Sequence, residues 1–379
     1  MFIAATGFAQ WTALNSGTIN NLSSVYFSND NIGYAIGDSG IIIKTINGGT
    51  TWTAQTSSTN NHLSSVYFLN TNIGYTVGYN GTILKTTNGG TYWVIKISGT
   101  TNNLLSVYFP DANKGYAVGS FGTIIKTSDA GASWTTLSSG ISNTLYSVYF
   151  TDTLTGYVVG NGGIILKTSN GGTNWTALTS GTTFPLWSVY FTNPDTGYTV
   201  GQQGLIQKTN NAGTSWTSET SGTSNILYSI YFANANAGYA VGSNGTIIKT
   251  SDSGTNWSTQ TSGTSNKLTS IYFTNANTGY TVGWNGTILK TINGGDFIEE
   301  NQLQESAINI FPNPTNDNLT IETPDKATIE ILNMEGQIIK RINANDKSTT
   351  TEISELSKGM YFVKAKTEKG IAVKKFIKE

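Results

Sequence analysis

Apolar and polar residues alternate along this chain in short runs: Leu22-Ser-Ser-Val-Tyr-Phe27, Gly33-Tyr-Ala-Ile-Gly37, Ile41-Ile-Ile-Lys-Thr45 and Thr51-Trp-Thr-Ala-Gln55. Runs rich in β-branched and aromatic residues, separated by Asn, Gly and Ser, read as β-strands. The four-run unit returns every 41 residues. Trp11, Trp52, Trp93, Trp134, Trp175, Trp216 and Trp257 stand 41 apart, as do Tyr26, Tyr67, Tyr108, Tyr149, Tyr190, Tyr231 and Tyr272, with no insertion or deletion. Seven copies of a four-stranded unit of this length predict an all-β chain whose main part, residues 10–297, is a seven-bladed β-propeller.

The turn between the third and fourth runs explains its own residues. Asn47, Asn88, Asp129, Asn170, Asn211, Asp252 and Asn293 occupy one slot, and their short side chains accept hydrogen bonds from amides just downstream. Gly49 and its counterparts suit a backbone position with positive φ. The Trp that follows supplies an apolar plate at the start of the next strand. This Ser/Thr-x-Asp/Asn-x-Gly-x-x-Trp pattern resembles the Asp-box (BNR) repeat, which implies a tight turn between the third and fourth strands of a propeller blade. The repeat occurs in families of unrelated function, so the resemblance bears on fold.

The ends of the array predict how the ring closes. In the seventh copy Ile298 stands where Trp is expected, so a proper fourth strand is missing, while Trp11 precedes the first copy. Residues 10–15 are therefore expected to complete the blade built from 268–295.

Charge and composition narrow the partners. The formal net charge is −1 and there is no Cys, which excludes disulfides and thiolate metal sites. The repeats carry no Arg and a near balance of Lys and acids, so neither nucleic acid nor an anionic membrane is an expected partner. No apolar run approaches the length of a membrane span. Residues 1–9 read as the tail of a signal peptide cut before Gln10.

Sialidases and other glycoside hydrolases also carry Asp-boxes, so catalysis is tested first. Glycoside cleavage needs a pair of carboxylates, and sialidases need an arginine cluster; Arg341 is the only Arg and lies outside the repeats. Asp111 and Asp152 replace a turn Asn of the other copies, and Asp38, in a turn between strands two and three, has no evident carboxylate partner. His62, the lone His, falls in an Asn-rich loop and reads as a solvated surface residue. No nucleophile–base pair and no metal-ligand spacing stands out, so no catalytic residue, metal or cofactor is expected. Lys44 and six counterparts share the slot beside the Asp-box and are expected to lay their stems over apolar surface with the ammonium in water.

Positions that break the repeat are better candidates for binding. The residue before the invariant Ser of the first strand reads Ser23, Ser64, Leu105, Tyr146, Trp187, Tyr228, Thr269, so three adjacent blades bring an aromatic to one place. Phe184 precedes the fifth copy's first strand, and Tyr79, Phe121 and Trp284 occupy strand two to three turns on the same face. Such plates among Asn, Gln and Ser suit a glycan or an aromatic-rich surface protein. The propeller also resembles the photosystem II stability and assembly factor family, whose members are binding scaffolds; nothing in these residues implies a photosynthetic role. A glycoside hydrolase or lyase with a non-standard site is the alternative reading.

Past the repeats charge rises. Residues 298–307 read as a polar linker. The alternating runs that follow, among them Leu319-Thr-Ile321, Ile329-Glu-Ile331 and Tyr361-Phe-Val363, predict a small Ig-like β-sandwich over 308–379. Asn309-Ile-Phe-Pro-Asn-Pro314, Leu332-Asn-Met-Glu-Gly336, Leu356-Ser-Lys-Gly-Met-Tyr361 and Lys374-Lys-Phe-Ile-Lys378 resemble the type A C-terminal sorting domain of the type IX secretion system. That resemblance implies the secretion machinery as a partner and a secreted or outer-surface location in a Gram-negative bacterium.

Overall fold

The computed structural model describes residues 10–296, 308–333, 338–367 and 370–379, and the chain divides after Asp296 into two compact units. The segments expected as signal remnant and linker, Ile298, and residues 334–336 of the second sorting motif lie outside the described residues.

The first unit holds seven antiparallel sheets of four strands each, the blades of a propeller. Blade 1 runs Leu22–Phe27, Gly33–Gly37, Ile42–Thr45 and Thr53–Gln55 from the axis outward. The third and fourth strands start one and two residues later than the apolar runs, because turns claim those amides. Ile41 N–H bonds Asp38 O at 3.1 Å and Thr51 N–H bonds Asn47 Oδ1 at 3.0 Å.

Blades pack through rings. Phe27 stacks on Tyr280 of the preceding blade at 3.9 Å, and Trp52 meets Phe27 edge-on at 6.0 Å. Gly33 is required there, since a Cβ would fall 2.5 Å from the Phe27 ring. At the axis seven tyrosines form a closed belt, from Tyr26 against Tyr67 at 5.3 Å round to Tyr272 against Tyr26 at 4.8 Å. Burial raises the pKa of these phenols, which keeps them neutral and able to donate, as Tyr26 does to Phe68 O at 2.8 Å.

The ring closes as expected. Thr12–Leu14 pairs antiparallel with Ile288–Thr291, making the fourth strand of blade 7. Trp11 is 1% exposed and meets Phe273 edge-on at 6.0 Å, the packing Trp52 has in blade 1.

The second unit has two sheets. Asn309–Phe311, Asn318–Glu322 and Ser348–Glu352 make one; Ile338–Ala344, Ala327–Leu332, Gly359–Thr367 and Gly370–Lys378 make the other. Leu319, Ile321, Ile329, Val363 and Phe376 are buried in one core shared by both sheets. Arg341 bonds Glu330 at 2.6 Å, so the lone guanidinium is committed to the sandwich.

Candidate functional site

The two ends of the propeller are built differently. At the Asp-box end Asn47 Oδ1 accepts from Thr51 N–H, and Gly49 adopts φ 85°. Where the slot holds Asp, the turn also sets its charge. Ser133 and Thr127 hydrogen bonds hold Asp129 well below the usual carboxylate range, and bonds from the Asn256 amide and side chain bring Asp252 down to about 2.

The lysine slot corrects the expectation of a solvated ammonium. Lys44 Nζ donates to Gly89 O of the next blade's Asp-box at 2.7 Å, and the buried Tyr34 hydroxyl donates to the same oxygen at 2.9 Å. The pair recurs around the ring; at the closure Lys290 and Tyr280 both reach Gly48 O, at 2.7 and 2.8 Å. Burial lowers the pKa of Lys44 and Lys290 and lifts Tyr34 and Tyr280 to about 12. Blade 6 differs: Lys249 pairs with Asp296. Each Asp-box turn is thus a latch gripped by the preceding blade.

At the opposite mouth, three of the expected aromatics come together. Tyr146 stacks on Trp187 at 4.1 Å, and Trp187 meets Tyr228 edge-on at 5.4 Å. Lys267, which sequence reasoning missed, extends the arc: its Nζ lies 3.8 Å from the Tyr228 ring centre and 5.2 Å from that of Trp284. Burial lowers its pKa, and no carboxylate among the described residues forms a salt bridge with it. The signal was available, since Lys267 stands in the slot of Asn21 and Asn103. Trp187 Nε1 is buried without a partner among the described residues. Phe184 and the strongly exposed Phe121 make no ring contact with the arc among the described residues; φ of 56° places Phe121 at the tip of its turn.

Tyr79 serves a different group. Its ring packs 4.5 Å from His62, whose Nδ1 lies 2.6 Å from Asp38 Oδ1 and whose Nε2 lies 3.3 Å from Ser23 Oγ. The reading of His62 as a solvated residue is corrected: blades 1 and 2 bring it together with Asp38 and a hydroxyl. Sequence distance hid the group, as its members are spread over three separate turns and strands. No cluster of His, Asp and Glu suited to a metal occurs among the described residues.

The family model described as photosynthesis system II assembly factor YCF48 matches residues 3–98 and 93–223, together more than half the chain. The model for a secretion system C-terminal sorting domain matches residues 309–379. Such domains mark proteins handled by the type IX system, so the chain is a secreted propeller that reaches the surface or surroundings of a Gram-negative bacterium. Among described residues, no helix is long and apolar enough to cross a membrane.

No curated protein matches. Among solved structures, YCF48 bound to a D1 peptide is 19% identical, covers 77% of this chain and all of its own, and has a TM-score of 0.66. YCF48 from Cyanidioschyzon merolae is 20% identical over 74% of this chain and 98% of its own, TM-score 0.63. A GH74 enzyme from Niastella koreensis is 14% identical over 97% of this chain and 74% of its own, TM-score 0.63. At these identities the likeness shows the propeller fold, which enzymes and assembly factors share.

Proposed function

This chain belongs to the photosynthesis system II assembly factor YCF48 family and ends in a secretion-system sorting domain, and from that premise we propose that it is an exported binding module holding an extended, acidic segment of a surface protein. The observation that carries this reading is the arc Tyr146, Trp187, Tyr228, Lys267 and Trp284. Its rings lie at positions where the repeat is broken, and a scaffold role would have been met by the same residue in every blade. Tyr146 and Trp187 cover each other's faces and Lys267 covers Tyr228, which leaves fewer open plates for a sugar ring and favours a polypeptide running over edges and hydroxyls. A half-buried ammonium without a carboxylate partner supports an acidic group in the ligand. The peptide-bound relative lends the reading a parallel, at the level of fold.

Peptide and glycan arrays probed with the full chain test this. Acidic peptides are expected to be captured, and Trp187→Ser, which installs the residue of blades 1 and 2, is expected to weaken capture about thirtyfold, as loss of an interface anchor worth about 2 kcal/mol does. Capture of glycans alone, or peptide binding unchanged in Trp187→Ser, would overturn the reading.

A further inference from the structure

We propose that Ser23, His62 and Asp38 form an acyl-transfer site that hydrolyses carboxylic esters, with Ser23 as nucleophile, His62 as general base and Asp38 as the residue that positions the imidazole. Asp38 Oδ1 lies 2.6 Å from His62 Nδ1, and its Oδ2 accepts from Asn21 Nδ2 at 2.8 Å. An ionised carboxylate only accepts, so Nδ1 carries the imidazole proton and the lone pair of Nε2 faces Ser23 Oγ at 3.3 Å. That is the order of contacts that activates a serine hydroxyl.

Placement supports the chemistry. Ser23 is the extra residue of the first-strand bulge that all seven blades share, here between Leu22 and Ser24, so the scaffold presents this position at the mouth and blade 1 fills it with a hydroxyl. His62 and Asp38 are 24% and 41% exposed, open to a substrate at the mouth. Tyr79 packs on the imidazole and limits its rotation. The same slot braces the preceding blade's turn elsewhere: Asn103 accepts from the Asn80 amide at 3.0 Å, and Asn21 from the Asn285 amide at 3.0 Å. His62 makes its contact to that turn through a carboxylate and adds a hydroxyl on its other nitrogen, which brings an imidazole base to the junction.

In the first step Ser23 Oγ bonds to the ester carbonyl carbon while its proton passes to His62 Nε2. The C–O bond to the alkoxy group then breaks, and the alcohol departs with that proton, leaving acyl-Ser23. Water attacks the acyl carbon, gives its proton to Nε2, and the acid leaves as Ser23 recovers its hydrogen. Asp38 stays ionised throughout and offsets the transient imidazolium. The trio supplies nucleophile, base and positioning carboxylate, which suits esters, whose alkoxy group leaves more readily than an amine, rather than amides.

The test is independent of the aromatic arc. The full chain is treated with a fluorophosphonate probe and labelled sites are mapped by mass spectrometry, alongside hydrolysis of p-nitrophenyl acetate. Ser23 is expected to label at least tenfold faster than any other serine, and both readouts should fall at least tenfold in His62→Asn and Asp38→Asn. These variants install residues that the same slots hold in other blades, so the fold is kept; a melting curve checks it. Failure to label Ser23, or equal labelling in folded His62→Asn, would overturn the site without touching the binding proposal.

Discussion

The two ends of the propeller share one backbone and spend their side chains differently. At the Asp-box end the Thr, Asn or Asp, Gly, Lys and Tyr slots are nearly uniform, and each blade grips its neighbour through the contact that Lys44 and Tyr34 make on Gly89 O. At the other mouth the slots drift, and the drift is concentrated: Tyr146, Trp187, Tyr228, Lys267 and Trp284 in blades 4 to 7, Ser23, Asp38, His62 and Tyr79 in blades 1 and 2. Sevenfold repetition solves closure once and copies it. A ligand is not sevenfold symmetric, so recognition has to break the copy.

The sharpest way to break this contrast is at the seam. Trp11→Ala removes the indole that stands in for blade 7's own, buried to 1% exposure, and is expected to cost about 3–5 kcal/mol, read as a lowered midpoint in a denaturant titration. An unchanged midpoint would mean that the amino-terminal strand does not hold the ring shut.

A milder test uses pH. Tyr34, Tyr280 and the belt tyrosines have raised pKa values in the folded chain, about 12 for Tyr34, Tyr67 and Tyr280. A raised pKa means the unfolded chain loses its phenolic protons first, so this stabilisation is complete below about pH 10 and is lost as pH rises toward 12. The lowered lysines, such as Lys44 and Lys290, act in the opposite sense near pH 10, but the tyrosines outnumber them. A thermal midpoint falling above about pH 10 is expected; a flat profile to pH 12 would deny that buried phenols hold the blades together.

Much of the architecture was legible in the sequence because a fixed period and a displaced Trp constrain topology strongly. The strands, the Asp-box acceptors and the closing strand follow from local chemistry and counting. What stayed hidden depends on neighbours on other strands and turns, tens of positions away along the chain. Lys44 finds its acceptor 45 residues on, at Gly89, and His62 reaches back 39 residues to Ser23, so neither bond has a local sequence signature. The aromatic arc was legible in part: the ring slots were visible as departures from the repeat, whereas Lys267 joins them through contacts to Tyr228 and Trp284 that lie 39 and 17 residues away.

The smallest expected effect on stability is also the most direct test of the division of labour between the two ends. Trp187→Ser removes an indole whose Nε1 has no partner among the described residues and installs the side chain of blades 1 and 2. Its melting temperature is expected to stay within about 3 °C of wild type, a change of about 1 kcal/mol or less, while ligand capture weakens about thirtyfold. A collapse of the melting temperature would place Trp187 in the scaffold and contradict the claim that the broken repeat serves recognition.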